Sequence, residues 1–301
     1  MQAFEDTGKL DQAVSVFLSV RPRLFGIAYR MLGTVAEAED IVQDAWLRWQ
    51  STDRTAVQDA TAFLITTTTR LAINLTQSAR SRRETYIGPW LPEPVDTSSD
   101  PTLGAERGEA LELAVLLLLE KLTPNERAAF VLREAFDYSY SEIANILQGS
   151  EANARQLVAR ARKHIADERR APANAADRQR LLAALVSAAQ KGDLAGLEQL
   201  FVSDVVSYSD GGGVVTAARI PILGRARVAK FISSFASHFW VGVMLTPMET
   251  NGQPSVLISR GDTLLALVSI DALEQGIGQI MWIMNPAKLA AVSKSRSPLS
   301  A

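Results

Sequence analysis

The 301-residue chain predicts a multidomain protein: two all-α segments, the second a helix-turn-helix, followed by an α+β domain. Three observations point there. Apolar residues recur at helical spacing from about Leu10 to Arg170, interrupted once by a stretch rich in Pro and Gly. Capping patterns mark helix starts on both sides of that interruption. Beyond Pro172 the pattern changes to Val/Ile runs separated by Asn251-Gly252, Gly261-Asp262 and Gln275-Gly276, which are hairpin connections. The expected boundaries are 8–84 for the first helical domain, 85–106 for a linker and 107–170 for the second helical domain. The α+β domain spans 175–292, and 293–301 form a disordered tail.

In the first block, Thr34-Val35-Ala36-Glu37 reads as a capping box that opens a helix with Ala38, Ile41, Val42, Ala45 and Trp49 on one face. Asp40, Gln43, Asp44 and Leu47 share the other face. An apolar residue among acids on an exposed stripe fits a partner helix of complementary charge, or else an ordinary amphipathic helix with one stray leucine. The next helix carries Phe63, Leu64, Leu71, Ile73 and Leu75 and ends in a basic cluster, Arg80, Arg82 and Arg83. Thr66 to Thr69 are poor helix formers with no evident role in it.

The linker contains Gly88, Pro89, Pro92, Pro94, Pro101 and Gly104. Within it, Trp90-Leu91-Pro92-Glu93-Pro94 is apolar and stiffened by proline, and a Trp-Leu pair is costly to leave in water.

Past the linker, Thr123-Pro124-Asn125-Glu126 is a capping box with Pro at the first helical position. A second helix begins near Ser141 and ends at Gly149, whose missing Cβ suits a left-handed cap. Ser150 then caps a third helix, which buries Ala154, Leu157, Val158, Ala161 and Ile165. Its outer arc collects Asn153, Arg155, Gln156, Arg160, Arg162 and Lys163. A helix, a tight turn and a helix with a basic outer face fit a major groove, where Arg and Lys hold phosphates and Asn, Gln and Arg read base edges. The alternative is a solvated cationic face on a bundle helix.

In the tail, Asp210-Gly211-Gly212-Gly213 is a loop whose backbone can approach another segment closely. The reading from residues alone is that this loop, with the Asn285-Pro286 corner, either grips the linker or is a plain turn. Acid/base catalysis needs a poised carboxylate or imidazole, and Asp210, His238 and Asp271 are the candidates. Asp210 reads as a turn residue. His238 lies at the end of a helix expected over Arg225–Phe239, and Asp271 falls in a strand. Trp240, Trp282, Met281 and Met284 read as core or pocket lining.

Composition narrows the rest. The formal net charge of −2 argues against a surface basic throughout, so any nucleic-acid face is local. There is no cysteine, and the two histidines, His164 and His238, are far apart in sequence. A metal site is therefore not expected, nor is a cofactor. No signal peptide or membrane span is evident, so the expected address is the cytoplasm.

The segment from Glu39 to Trp49 resembles the second conserved region of extracytoplasmic-function sigma factors, and the segment from Leu122 to Arg162 resembles their fourth. Trp90-Leu91-Pro92-Glu93-Pro94, Asp210-Gly211-Gly212-Gly213 and Asn285-Pro286-Ala287-Lys288-Leu289 resemble markers of a subgroup with a C-terminal SnoaL-like domain, a cone-shaped fold. The resemblance spans roughly residues 14 to 292. It implies a sigma factor, not an enzyme, that binds core RNA polymerase and promoter DNA.

Within that resemblance, Asp40, Gln43, Asp44 and Leu47 would meet the polymerase clamp. Residues 51–83 would open the −10 element. Ser150, Asn153, Arg155, Gln156, Arg160, Arg162 and Lys163 would read the −35 element, with Arg80, Arg82 and Arg83 as further DNA contacts. The fused domain, through Trp90, Leu91, Pro92, Glu93, Asp210, Gly211, Gly212, Asn285 and Pro286, would replace a separate anti-sigma protein, and its cone could hold a small-molecule ligand. Asn74, Gln77 and Phe63 depart from the family's usual Asp, Arg and Trp. Two rival readings remain at this point: a helix-turn-helix regulator acting without polymerase, and a SnoaL-like enzyme on a DNA-binding arm.

Overall fold

The computed structural model describes residues 2–98, 111–168 and 170–294, with side chains for all of these except 2–10, 79–82 and 293–294. The chain divides into two compact units.

The first unit contains both helical segments. It is built from α1 (Gln2–Leu32), α2 (Val35–Ser51), a 3-10 turn at Arg54–Ala56 and α3 (Ala60–Glu84). To these it adds α5 (Pro124–Phe136), α6 (Tyr140–Leu147) and α7 (Glu151–Glu168), while α4 (Leu113–Leu119) straddles the division. The two segments pack on each other within this unit through α1 and α5. Arg127 is buried and donates from Nη1 to the Met31 carbonyl at 2.7 Å and to Glu120 at 2.7 Å. Arg30 lies 5.1 Å from the centre of the Phe136 ring. Two buried guanidiniums, which sequence patterning treats as surface residues, thus join segments about a hundred positions apart.

Several local expectations change. Thr34 precedes α2, but its hydroxyl bonds the Glu37 carboxylate at 2.7 Å and caps no backbone N–H, so that box is incomplete. The box at Thr123 is complete, with Glu126 answering the Thr123 amide. The left-handed residue closing α6 is Gln148, φ 56°, and not Gly149. Ser150 does cap α7, its Oγ accepting the Asn153 amide at 3.1 Å.

The second unit holds α8 (Ala175–Lys191), α9 (Leu194–Leu200), β1 (Phe201–Asp210), β2 (Ile222–Leu223) and α10 (Arg225–Ser233). It continues with β3 (Met244–Thr250), β4 (Gln253–Arg260), β5 (Thr263–Leu273), β6 (Gly276–Ile283) and α11 (Pro286–Lys294). The six strands form one sheet in the order β2-β1-β6-β5-β4-β3, antiparallel except for β1 beside β6. Asn251 and Gly252 both take positive φ, 54° and 70°, the pairing that a two-residue hairpin between β3 and β4 needs. One sheet face, including Ile258, Val268 and Ile280, shares a core with α8, α9 and α10. On the other face α11 packs against β5.

Two expected boundaries move. The segment expected as a linker over 85–106 belongs, as far as residue 98, to the C-terminal unit from Arg83 onward, and Glu112–Leu117 joins it. Helix α10 ends at Ser233, so His238 sits in the turns beyond it and not on a helix end. The proposed tail begins inside α11, and 295–301 lie outside the described residues.

Candidate functional site

Three surfaces assemble the residues singled out above. On α2, Asp40, Gln43, Asp44 and Leu47 stand at i, i+3, i+4 and i+7 and are all exposed, Leu47 by 52%. The opposite side of the helix is fixed by burial of Ala38, Ile41, Val42, Ala45 and Trp49. Trp49 also donates from its indole to the Ala13 carbonyl at 3.2 Å. The stripe is therefore held rigidly outward.

Beside it, α3 lines a cavity of about 400 Å³ with Phe63, Thr66, Thr67 and Arg70, opposite Arg48. The run of threonines divides by side. Thr66 and Thr67 face this cavity, while Thr68 and Thr69 are buried with hydroxyls that find no partner among the described residues. Arg70 also donates to the Ile146 carbonyl at 3.0 Å. Arg80 and Arg82 lie outside the described side chains.

On α7, Ser150, Asn153, Arg155, Gln156, Arg160, Arg162 and Lys163 are all exposed. They are not equivalent. Arg162 donates to Glu134 of α5 at 2.7 Å, and Arg160 lies 3.2 Å from Glu126. The Glu134 hydrogen bond raises Arg162's pKa against the opposing effect of burial. For Glu126, partial burial pushes the carboxyl up, but hydrogen bonds from Thr123 and the charges of Arg160 and His164 outweigh it, leaving a net lowering. Arg155 pairs with Glu151 and lies over the Tyr140 ring at 4.5 Å. Sequence spacing put these cations on one arc; only the packing of α5 shows that two of them face acids.

The third surface lies wholly in the second unit. Asp210, expected to be a turn residue, closes β1 fully buried. Its Oδ2 accepts the Leu91 amide at 2.9 Å and Lys288 Nζ at 2.6 Å. Its Oδ1 accepts the Tyr86 hydroxyl at 2.6 Å and the Gly212 amide at 3.1 Å. Lys288 also donates to the Leu91 carbonyl and sits 4.6 Å from the centre of the Trp90 ring. Asn285 donates to the Tyr86 oxygen at 2.9 Å and caps α11 by accepting the Ala287 amide at 3.0 Å. Gly212, φ +63°, is required here: a Cβ would come within 2.4 Å of Asn285 Nδ2.

A second grip lies further along the linker. The Val95 amide donates to Asn251 Oδ1, and the Asn251 amide returns a bond to the Val95 carbonyl, each at 2.9 Å. Asp96 bridges Thr250, so the linker extends the β3 edge by one short antiparallel contact. The structure thus brings together Trp90, Leu91, Asp210, Gly211, Gly212, Asn285 and Pro286. The polar partners that close the site, Tyr86, Lys288 and Asn251, were not singled out as site residues. Arg83 places its guanidinium 3.6 Å from the centre of the Trp90 ring.

The electrostatics follow from burial. Burial pushes the Lys288 ammonium below the ordinary lysine value, against the pull of the Asp210 carboxylate. Burial, reinforced by the hydrogen bond to Asp210, raises the Tyr86 phenol above its usual value. Asp210 is thus occupied by structural partners. His238 stacks edge-on with Phe235, and Asp271 lies on the opposite sheet face, lining a small cleft with Glu112 and Arg178. The three acid/base candidates do not converge.

A helical unit ending in a helix-turn-helix, with an exposed acidic and apolar stripe on an earlier helix, fits the class of DNA-binding transcription proteins. The family comparisons agree: sigma-70 region 2 matches residues 16–83, and sigma-70 region 4 matches residues 112–165. The ECF RNA polymerase sigma factor SigJ of Mycobacterium tuberculosis is 39% identical over 76% of this chain and 75% of its own length. The probable sigma factor SigI of the same species is 30% identical over 93% and 95%. The crystal structure of SigJ superposes with a TM-score of 0.73 at 32% identity, covering 92% of this chain and 98% of that one. The chain belongs to the extracytoplasmic-function RNA polymerase sigma factors, and its C-terminal unit is SnoaL-like. It is a promoter-directing initiation factor and not an enzyme. Among the described residues, no helix is long and apolar enough to cross a membrane.

Proposed function

We propose that this sigma factor is controlled in cis: its SnoaL-like domain holds the interdomain linker and so sets the separation open to its two promoter-reading segments. The observation that carries this is the buried Asp210, which binds the Leu91 amide, the Tyr86 hydroxyl and Lys288 together. Such a carboxylate is too costly to bury unless every partner is present, so linker docking and ion-pair formation are one event. In the same reading the Asp40, Gln43, Asp44 and Leu47 stripe meets polymerase. The α3 cavity takes part in opening the −10 element, and the outer face of α7 reads the −35 element. A fused regulator of this kind removes the need for a separate anti-sigma protein, and the site of action is wherever core polymerase lies, the cytoplasm. Reconstitution with core polymerase and mapping of transcript starts tests the whole. Wild type and Asp210→Asn should start from the same promoters but at different levels. Equal levels would overturn control through the linker.

A further inference from the structure

The second unit also encloses an apolar cavity of about 290 Å³ beneath α10 and the turns that follow it. Its deep wall is aromatic: Phe231, Phe235, Phe239, Trp240 and Trp282, with Met284 beside them. Trp240 packs edge-on against both Phe239 and Trp282, with ring centres 5.2 and 6.3 Å apart. Ser209, almost buried on β1, and Thr216 supply the hydroxyls among the lining residues. Among the described residues no charged or imidazole side chain lines it, so they offer no acid/base pair and no counter-ion.

The near wall is the segment Thr216–Ala218. The same three residues, again with Ser209, also line a second cavity of about 200 Å³, bounded on its far side by Ile87 and Gly88 of the linker. Gly213 of the same loop stands against Ile87, where a Cβ would meet the Ile87 side chain at 3.0 Å. One short irregular segment is therefore a wall of the apolar cavity and a support of the docked linker.

We propose that this cavity binds a small uncharged molecule made mainly of rings with one hydroxyl or carbonyl oxygen, and that its binding tightens linker docking through Thr216–Ala218. The inference rests on the reading that the domain acts through the linker. The aromatic wall favours rings removed from water, and the Ser209 hydroxyl meets one polar atom. A charge is excluded because nothing in the cavity would pair with it. A ligand packed behind Thr216–Ala218 gives that segment added contacts on its cavity side, stiffening the support of Ile87 and Gly88. Because coupling is reciprocal, a docked linker must in turn favour the ligand.

The test uses the full chain, calorimetric titration with 2-naphthol, naphthalene and 2-naphthoate, and hydrogen exchange at the Leu91 amide. 2-Naphthol should bind one to one, and 2-naphthoate at least about tenfold more weakly because its carboxylate finds no partner. Ser209→Ala should weaken 2-naphthol by about three- to tenfold, as for one hydrogen bond, and leave naphthalene unchanged. Bound 2-naphthol should slow Leu91 exchange. Absence of binding, binding indifferent to Ser209→Ala, or binding that leaves Leu91 exchange unaltered would each overturn the proposal. Fast Leu91 exchange in the ligand-free chain would instead overturn the linker reading. Slow exchange without 2-naphthol binding would overturn the cavity alone.

Discussion

Asp210 and Lys288 form an ion pair that is 0% and 8% exposed, and the energetic consequences are asymmetric. Removing one partner leaves a buried charge without its complement, so Lys288→Met should destabilise the second unit by about 3–5 kcal/mol. Adding Asp210→Asn to that variant should recover part of the loss, since the stranded charge is gone. Calorimetric melts of the two variants and wild type check both statements, and a double variant no more stable than Lys288→Met would count against the pair.

Tyr86 gives a second residue-scale test. Its phenol is raised above the ordinary value near 10, so docking is supported below about pH 10 and weakens as pH climbs past it. In an absorbance titration of phenolate, Tyr86 should ionise late, and Tyr86→Phe should remove one late-ionising group. A titration curve in which Tyr86→Phe removes an ordinary tyrosine would contradict the hydrogen bond to Asp210.

At the scale of elements, α2 and α7 present opposite chemistries on outward faces. Leu47 is exposed on α2 while Ile41, Val42 and Ala45 are buried on its reverse, so Leu47→Asp should leave the helix intact. The circular-dichroism signal should be unchanged, whereas co-purification with core polymerase should be lost. On α7, Lys163 has no acidic partner among the described residues, whereas Arg162 has Nε and Nη2 engaged by Glu134 and so has less of its donor fork to offer a phosphate. With the polymerase holoenzyme, Lys163→Ala should lower the salt slope of promoter binding by about one, and Arg162→Ala by less. Gln156→Ala should instead relax preference at one base position, at about 1–3 kcal/mol. Equal slopes for Lys163→Ala and Arg162→Ala would show that the ion pair to α5 does not restrain that face.

At the scale of the whole molecule, the proposed control acts through the linker. Trp90 and Gly212 serve one docked arrangement from its two sides: Trp90 beside Lys288, and Gly212 against Asn285. Trp90→Ala and Gly212→Val should each change transcription from a cognate promoter in the same direction. Together they should do little more than either alone, because a contact already lost cannot be lost twice. Additive effects would place the two residues in separate processes.

Much of this architecture was legible in local patterns. The Thr123 box, the buried stripes of α2 and α7 and the hairpin turns at Asn251-Gly252 and Gly261-Asp262 depend on residues a few positions apart, and short-range periodicity reports such relations directly. The linker motif, the glycine loop and the Asn285 corner could be named because each is unusual in composition. Their meeting could not be read. Tyr86 and Asp210 are 124 positions apart, Asn285 and Tyr86 199, and no local preference encodes which distant polar groups share a buried carboxylate. For the same reason Asp210 looked like a turn residue, and the contacts of Arg83 with Trp90 and of Arg162 with Glu134 were not foreseen. By itself the sequence determined the elements and the outward faces of the promoter-reading helices, since these follow from which side of a helix must leave water. The tertiary structure alone decided which charges are paired and where the linker docks, because burying a charge is tolerable only when partners from distant segments arrive together.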